Sequence, residues 1–128
     1  HFGAAHRRVR RRIVVSESFG LVIAERQFEI RCANGGTVMV VARVGQPVID
    51  GSGENWMCPY EITASGHSKT FGMHGVDSMQ ALELTLRIIE TEAATLARTQ
   101  GGSLQWLDEP YESMFAQTSG RSLGTASE

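Results

Sequence analysis

Apolar and polar residues alternate along the first part of the chain, which predicts β-strands. Residues 21–32 place apolar side chains on one face, interrupted only by Arg26, and polar side chains on the other, as in a half-buried antiparallel strand. Residues 34–36, Asn-Gly-Gly, favour a hairpin turn because they adopt positive φ readily. Residues 37–44 are apolar on both faces, so we expect this second strand inside the sheet. The apolar face of the first strand consists of Val22, Ala24, Phe28, Ile30 and Cys32.

Two further strands are predicted before the pattern changes. Residues 56–64 alternate, but Pro59 lies inside this segment. Proline has no backbone N–H to donate, so we expect the third strand to lie at an edge of the sheet or to carry a bulge. Residues 69–73 form the fourth strand, with Phe71 on its apolar face, and Gly75 ends it.

The period then changes to that of a long helix. Asp77 is a suitable N-cap, and Gln80, three residues later, completes a start that resembles a capping box. Gly101 and Gly102 predict the C-terminal end, where glycine commonly adopts the left-handed conformation. The apolar stripe expected to face the sheet consists of Met79, Leu82, Leu86, Ile89, Ala93 and Leu96.

These elements predict an α+β fold: a four-stranded antiparallel sheet with one long C-terminal helix packed on one face, in two layers. Beyond the helix, Leu104, Trp106 and Leu107 are expected to cap the core, and Pro110 favours the first turn of a short helix. We expect the long helix to cover Phe28, Ile30, Val40, Ile62 and Phe71, and the short helix to present Tyr111, Met114 and Phe115 on one side.

A chain of 128 residues has room for one domain, which we place at residues 20–115. Residues 1–19 are predicted to be a basic, disordered leader. Residues 116–128, rich in Ser, Thr, Gly and Ala, are predicted to be a disordered tail, because such segments bury too little apolar area to offset the entropy of ordering.

The net charge of −2 gives no general attraction to nucleic acid. The charges are unevenly distributed, since the remainder of the chain is acidic once the basic N-terminus is removed. An acidic domain attracts basic proteins, so we expect an unknown protein partner of basic character, and the sequence leaves a homodimer open. Nucleic acid is expected to bind only through the arginines of the leader, which are Arg7, Arg8, Arg10, Arg11 and Arg12.

No run of residues is long and apolar enough for a membrane span, and the N-terminus lacks the apolar core of a signal peptide. We therefore expect a cytoplasmic protein that does not bind membranes. In that compartment Cys32 and Cys58 are expected to be reduced thiols, and a disulfide between them would require a different location.

Two motifs carry a resemblance to a known family. They are W-M-C-P-Y-E-I at residues 56–62 and G-V-D-S-M-Q-A-L at residues 75–82. Together they resemble a family of small bacterial proteins classified only as a domain of unknown function, over residues 24–107. The resemblance implies a compact α+β domain and supplies no catalytic residues.

Cys58, His67 and His74 are candidates for a metal or thiol site, since thiolate and imidazole suit zinc. The spacing matches no standard zinc finger. By strand phase Cys58 faces the core, whereas His74 faces the other way. The same conflict argues against a Cys–His nucleophile. We therefore predict no metal, no cofactor and no catalytic residues. An enzyme is less favoured than a binding protein, because the common catalytic motifs are absent.

Two non-catalytic functions are favoured over an enzymatic one. The first is a non-catalytic protein-interaction module that uses a face or edge of the sheet. Its candidate contact residues lie on the solvent face of the first strand: Glu25, Gln27, Glu29 and Arg31. The alternative is a small-molecule-binding protein with a pocket between helix and sheet, near Trp56, Tyr60 and Trp106.

Overall fold

The computed structural model describes residues 13–115. They form one antiparallel sheet of eight strands and one α-helix, α1, which packs on one face of the sheet. In chain order the elements are β1 (Val14–Ser16), β2 (Gly20–Arg31), β3 (Thr37–Gly45), β4 (Val48–Ile49), β5 (Trp56–Ala64), β6 (His67–Gly75), α1 (Ser78–Thr99), β7 (Ser103–Trp106) and β8 (Glu109–Pro110).

The α+β class and the helix on one face of an antiparallel sheet are confirmed, but the prediction of four strands is wrong. The four predicted strands are β2, β3, β5 and β6. The four additional strands contain only two to four residues each. A two-residue period cannot be recognised over so few positions, and these strands form because tertiary contacts place them beside longer ones.

The sheet is built around β5, β3 and β2. β5 pairs with β6 on one side and with β3 and β4 on the other. β2 pairs with β3 on one side and with β1 and β7 on the other, and β8 extends β7. The interior position predicted for β3 is therefore confirmed.

The expectation that Pro59 marks an edge strand or a bulge is wrong, because β5 has neighbours on both sides and its pairing with β6 continues past Pro59 without a register shift. Pairing with β3 ends at Tyr60, and pairing with β4 begins only at Met57. On this side of β5, Pro59 thus lies between the residues paired with β3 and those paired with β4. On the other side it pairs with Gly72 of β6. A residue without an N–H is tolerated at this position because neither β3 nor β4 pairs with it.

The predicted ends of the helix are confirmed. The Asp77 carboxylate accepts a hydrogen bond from the backbone N–H of Gln80 at 2.7 Å, and the Gln80 side chain accepts one from Val76 N–H at 2.8 Å. At the other end Gly101 has a φ of +64°, and Gly102 N–H donates to the carbonyl of Ala97 at 2.9 Å. This pairing satisfies backbone groups that the helix itself leaves unpaired.

The predicted apolar stripe of α1 is only partly correct. Ile89 and Ala93 are buried, but Met79 is 79% exposed, and the remaining leucines of the stripe are half-buried. Small residues face the sheet because they allow close approach: a Cβ on Gly75 would lie 2.5 Å from the backbone nitrogen of Ala81. The residues of α1 that are buried are Ala81, Thr85, Ile89, Ala93 and Ala97.

The core lies between α1 and the facing side of β2, β3 and β5. Four of the five sheet residues expected beneath the helix are buried, whereas Phe71 is 49% exposed. The buried apolar residues of the sheet are Phe28, Ile30, Val40, Ala42, Val44, Cys58, Tyr60 and Ile62.

The predicted short helix at Pro110 is wrong. Residues 103–110 form the hairpin of β7 and β8, in which Pro110 pairs with Gln105. Leu107 and Asp108 form its turn with φ values of 55° and 66°, and Leu107 is 73% exposed instead of capping the core. Trp106 and Leu104 do pack against the core as expected.

The described residues include residues 13–19 of the predicted leader. Val14–Ser16, which fall within residues 1–19, form β1 and pair with β2. Residues 1–12 and 116–128, which include the leader arginines and the whole predicted tail, lie outside the described residues, so those predictions stay predictions. Within residues 13–115, no helix combines the length and apolar character needed to cross a membrane.

Candidate functional site

A groove follows the edge of β2 that faces away from β3. On that side β1 pairs with residues 20–22 and β7 with residues 29–31, so within the described part of the chain residues 23–28 have a neighbouring strand only on the β3 side. We call this segment the open edge of β2. The groove has a volume of about 490 Å³ and is lined by five consecutive β2 residues, 25–29, together with Met39 and residues 105–108. Successive strand residues point to opposite faces, so an opening that touches all five runs along the edge of the strand.

The backbone groups that face this groove follow from the pairing of β7. The carbonyl of Leu104 accepts a hydrogen bond from Tyr111 N–H at 2.9 Å, so the backbone groups of Leu104 point away from β2. Its neighbours in β7 therefore bond to β2, at Glu29 and Arg31. The backbone groups of alternate residues in a strand point to the same side. The N–H and C=O groups of Gln27 and Glu25 therefore point to the same side as those of Glu29 and Arg31, which here is the groove.

Acidic side chains dominate the rim of the groove. Glu25, Glu29 and Asp108 contribute carboxylates, and Arg26 is the basic side chain among the lining residues. Glu25 accepts a hydrogen bond from Arg43 Nε at 2.7 Å, and this bond raises the pKa of Arg43. The contact between Glu29 and Arg31 is longer, 3.7 Å, and solvent-exposed, so it neutralises Glu29 only weakly.

The floor of the groove is apolar at the β7–β8 end. Met39, on the face of the sheet that carries Glu29, is 49% exposed, and Trp106, on the helix-covered face, is half-buried. The guanidinium of Arg26 stacks over the Trp106 ring at 3.9 Å from the ring centre. This cation is held against the indole, so the groove has apolar side chains on both faces of the strand edge and the carboxylates of Glu29 and Asp108 on its rim.

The segment after β8 is held against α1 by Glu90. The Glu90 carboxylate accepts hydrogen bonds from the hydroxyl of Tyr111, from Ser113 Oγ at 2.5 Å and from Met114 N–H at 2.7 Å. Burial alone would raise the pKa of Glu90, but these hydrogen bonds outweigh it and lower the pKa. Burial, followed by the bond to Glu90, raises the pKa of Tyr111, whose ring packs edge-on against Phe28 at 5.0 Å. Residues 111–114, which follow the β7–β8 hairpin, are thus held against α1 by several contacts.

A second opening lies between helix and sheet. It is an apolar cavity of about 120 Å³, bounded on one side by α1 and on the other by β2 and β3. Met114 lies at its rim, held in place by the bond from its backbone N–H to Glu90. The residues that line the cavity are Ala24, Glu25, Arg26, Phe28, Ala42, Val44, Leu86, Ile89 and Met114.

Comparison with known proteins places the chain in a family. Residues 24–117 match the family model described as Domain of unknown function (DUF6968). The chain belongs to this family. The matched stretch contains every residue that lines the groove and the cavity, so both lie within the DUF6968 domain. Searches of curated proteins and of solved structures gave no match.

The DUF6968 domain brings together some of the residues singled out from the sequence. Glu25, Gln27, Glu29 and Trp106 all line the groove, and Arg31 lies beside it on the same face. Gln105 and Asp108 also line the groove but were not singled out from the sequence, and Leu107 was expected in the core, because β7 and β8 were not predicted. No local pattern could have revealed them, since their position depends on how the hairpin docks against β2.

The other two residues singled out from the sequence lie elsewhere in the DUF6968 domain. Trp56 begins β5 and is half-buried, and Tyr60 is 2% exposed. The Tyr60 hydroxyl donates to Glu92 at 2.5 Å, and burial, with this bond, raises its pKa. Neither residue lines the apolar cavity, and neither does Trp106, so the opening between helix and sheet is built from other side chains.

Cys58 and His74 lie on opposite faces of the sheet. Cys58 is fully buried, and burial raises the pKa of its thiol, which makes it a poor nucleophile at neutral pH. His74 lies on the other face, with Nδ1 3.1 Å from the Asp50 carboxylate. Cys32 and Cys58 are free thiols. Among residues 13–115, no group of three or more His, Cys, Asp or Glu side chains is arranged to hold a metal ion.

Proposed function

We propose that this protein is a non-catalytic protein-interaction module that accepts an extended segment of a partner at the open edge of β2. The observation that carries the proposal is the interruption of pairing at residues 23–28, where the backbone groups of Glu25 and Gln27 point into a groove. Strand addition of this kind uses main-chain hydrogen bonds for affinity and neighbouring pockets for specificity. β1 and β7 bound the interruption at its two ends, so it suits a short segment better than the edge of another sheet.

The partner segment is expected to be basic with interspersed apolar residues. Glu29 and Asp108 attract positive charge, since Glu25 is already paired with Arg43, while Met39 on one face and Trp106 on the other offer apolar contact. Opposite charges facing one another across a strand pair stabilise the pairing by roughly 0.2–1 kcal/mol each. Binding should weaken as salt concentration rises, because these carboxylates are exposed to solvent.

The test is a titration of isotopically labelled full-length protein with a six-residue peptide that alternates valine and lysine, followed by NMR. We expect the amide signals of Glu25, Gln27 and residues 105–108 to shift, and we expect a peptide with glutamate in place of lysine to leave them unchanged. Gln27→Pro removes the outward N–H and should abolish binding, whereas Gln27→Ala keeps the N–H and should bind within about threefold of the original.

Two results would contradict the proposal. One is equal binding by the Gln27→Pro and Gln27→Ala variants, since it would mean that the backbone of β2 does not take part. The other is equal binding of the lysine and glutamate peptides, which would rule out recognition by the acidic rim.

A second candidate function is the binding of a small apolar molecule, and the cavity between helix and sheet favours it. Its volume, about 120 Å³, is close to that of engineered apolar cavities that bind benzene, roughly 150 Å³. We expect benzene to raise the melting temperature of the protein, because a ligand that binds only the folded state stabilises it. Ala42→Leu would fill the cavity and remove this effect, whereas Val41→Leu, on the opposite face of β3, would keep it. A melting temperature that does not respond to benzene, or an equal response in both variants, would exclude this function.

A further inference from the structure

The sheet has a second open edge, at β6, and it is much longer than the first. β6 contains nine residues and is exposed from His67 to Gly72, and among residues 13–115 it pairs only with β5. At the opposite side the sheet ends in short strands, and the outermost, β8, contains Pro110. Proteins usually protect a long edge with proline, several charges or a covering element. β6 has no proline and only one lysine, Lys69.

The turn before β6 determines which of its backbone groups are free. Ser65 and Gly66 have φ values of 53° and 79°, as in a two-residue type I′ turn, so Ala64 and His67 form a hydrogen-bonded pair. From His67 onward, the backbone N–H and C=O groups of successive residues point alternately toward β5 and away from it. The N–H and C=O groups that point away from β5 are therefore those of Ser68, Thr70, Gly72 and His74.

These four residues are placed symmetrically about Phe71. We propose that two copies of this protein pair through antiparallel β6 strands, with Phe71 on the two-fold axis, to form a dimer with one continuous sheet. In that register Thr70 faces Gly72 of the second copy, and Ser68 faces His74. Every outward backbone group of β6 then finds a partner, which is the requirement for a stable strand pair.

The side chains of β6 are compatible with this pairing. Phe71, which is 49% exposed in the single chain, would face its counterpart in the second copy at the close spacing of a non-hydrogen-bonded pair. An open groove beside it, about 280 Å³ and bordered by Thr95 and Leu96 of α1, leaves room for the second ring. Lys69 would face Met73, so no like charges oppose each other. The dimer explains why a large aromatic residue is exposed in the middle of an unprotected strand.

The test is sedimentation equilibrium of the full-length protein over a range of concentrations, with variants at two positions of β6. We expect the unmodified protein to form dimers. Phe71→Lys would place two lysines in contact on the axis and should raise the dimer dissociation constant by at least about tenfold. Leu21→Lys is the matched control, because Leu21 is also 49% exposed but lies on another strand, and it should leave the constant unchanged.

A backbone variant separates strand pairing from side-chain effects. Thr70→Pro removes an outward N–H without disturbing the bonds to β5 and should also give monomers, whereas Thr70→Ala should not. Hydrogen exchange supplies an independent measurement: the amides of Thr70 and Gly72 should exchange more slowly as protein concentration rises, while that of Phe71 stays protected throughout. Gln27→Pro should not affect dimerisation, so this inference can fail or succeed separately from the proposed function.

Three outcomes would overturn the dimer. A protein that is monomeric at all concentrations would show that β6 does not pair with itself, even if it accepts another protein. Dimers that persist in both Phe71→Lys and Thr70→Pro would place the interface elsewhere. Amide exchange at Thr70 and Gly72 that does not depend on protein concentration would also show that the interface is not at β6. This measurement uses the unmodified protein, so it decides the question even if Phe71→Lys fails to fold.

Discussion

Phe28→Ala should lower the free energy of unfolding by about 3–5 kcal/mol, the usual range for truncation of a buried aromatic side chain. Phe28 is 1% exposed, and its ring lies edge-on to Tyr111 with 5.0 Å between ring centres. Its side chain also borders both the groove and the apolar cavity. The loss of stability would therefore have three causes. Less apolar surface would be buried, the contact with the Tyr111 ring would be lost, and the existing cavity would become larger.

Urea denaturation monitored by circular dichroism measures this change. Gln27→Ala is the control, because Gln27 is the adjacent residue and is exposed, and it should change the free energy of unfolding by less than about 0.5 kcal/mol. We also expect faster amide exchange at Met114 in the Phe28→Ala variant, since Tyr111 would lose its packing partner. A loss below about 1 kcal/mol, the level of a typical mutation, would mean that Phe28 is not part of the core.

Long strands could be predicted from the sequence because their alternation repeats over many residues. The predicted third strand, residues 56–64, coincides with β5, and β2, β3 and β6 differ from their predictions only at the ends. Pro59 shows the limit of such reasoning. A proline restricts the hydrogen bonds of its own position, but whether that position lies at an edge depends on where β3 stops and β4 begins.

A β-bulge also limits prediction from the sequence, because it changes which face of the sheet the side chains before it point to. Val22 pairs with Gly45 and Ala24 with Val44, so the register shifts between them. Gly45 and Val44 are consecutive and point to opposite faces, which places Val22 and Ala24 on opposite faces as well. The alternation had assigned both to the same face, and no residue in this part of the sequence signals the additional position.

The candidate site could be predicted only in part. Glu25, Gln27 and Glu29 were identified because their outward phase follows from the alternation of β2 after the bulge. The open edge itself could not be foreseen, because it exists only where β1 and β7 both fail to reach residues 23–28. Trp106 was recognised as an apolar residue near the core, but its place in the groove depends on the docking of β7.

The second large effect on stability is expected in α1. It tests whether the helix faces the sheet with the side predicted from the sequence or with the side seen in the structure. Ile89→Ala should lower the free energy of unfolding by about 2–5 kcal/mol, because Ile89 is 3% exposed and faces the sheet. Leu86→Ala should cost less, about 1–2 kcal/mol, since Leu86 is half-buried and already borders the cavity.

Met79→Ala completes this comparison. Met79 belongs to the stripe read from the sequence, yet it is 79% exposed, so its truncation should change the free energy of unfolding by less than about 0.5 kcal/mol. Urea denaturation of the three variants would give the order Ile89, Leu86, Met79. That order follows from the small residues Ala81, Thr85 and Ala93, which bring one side of α1 against the sheet and turn Met79 toward solvent. Equal losses for Met79→Ala and Ile89→Ala would instead support the orientation expected from the leucines, with the helix rotated about its axis.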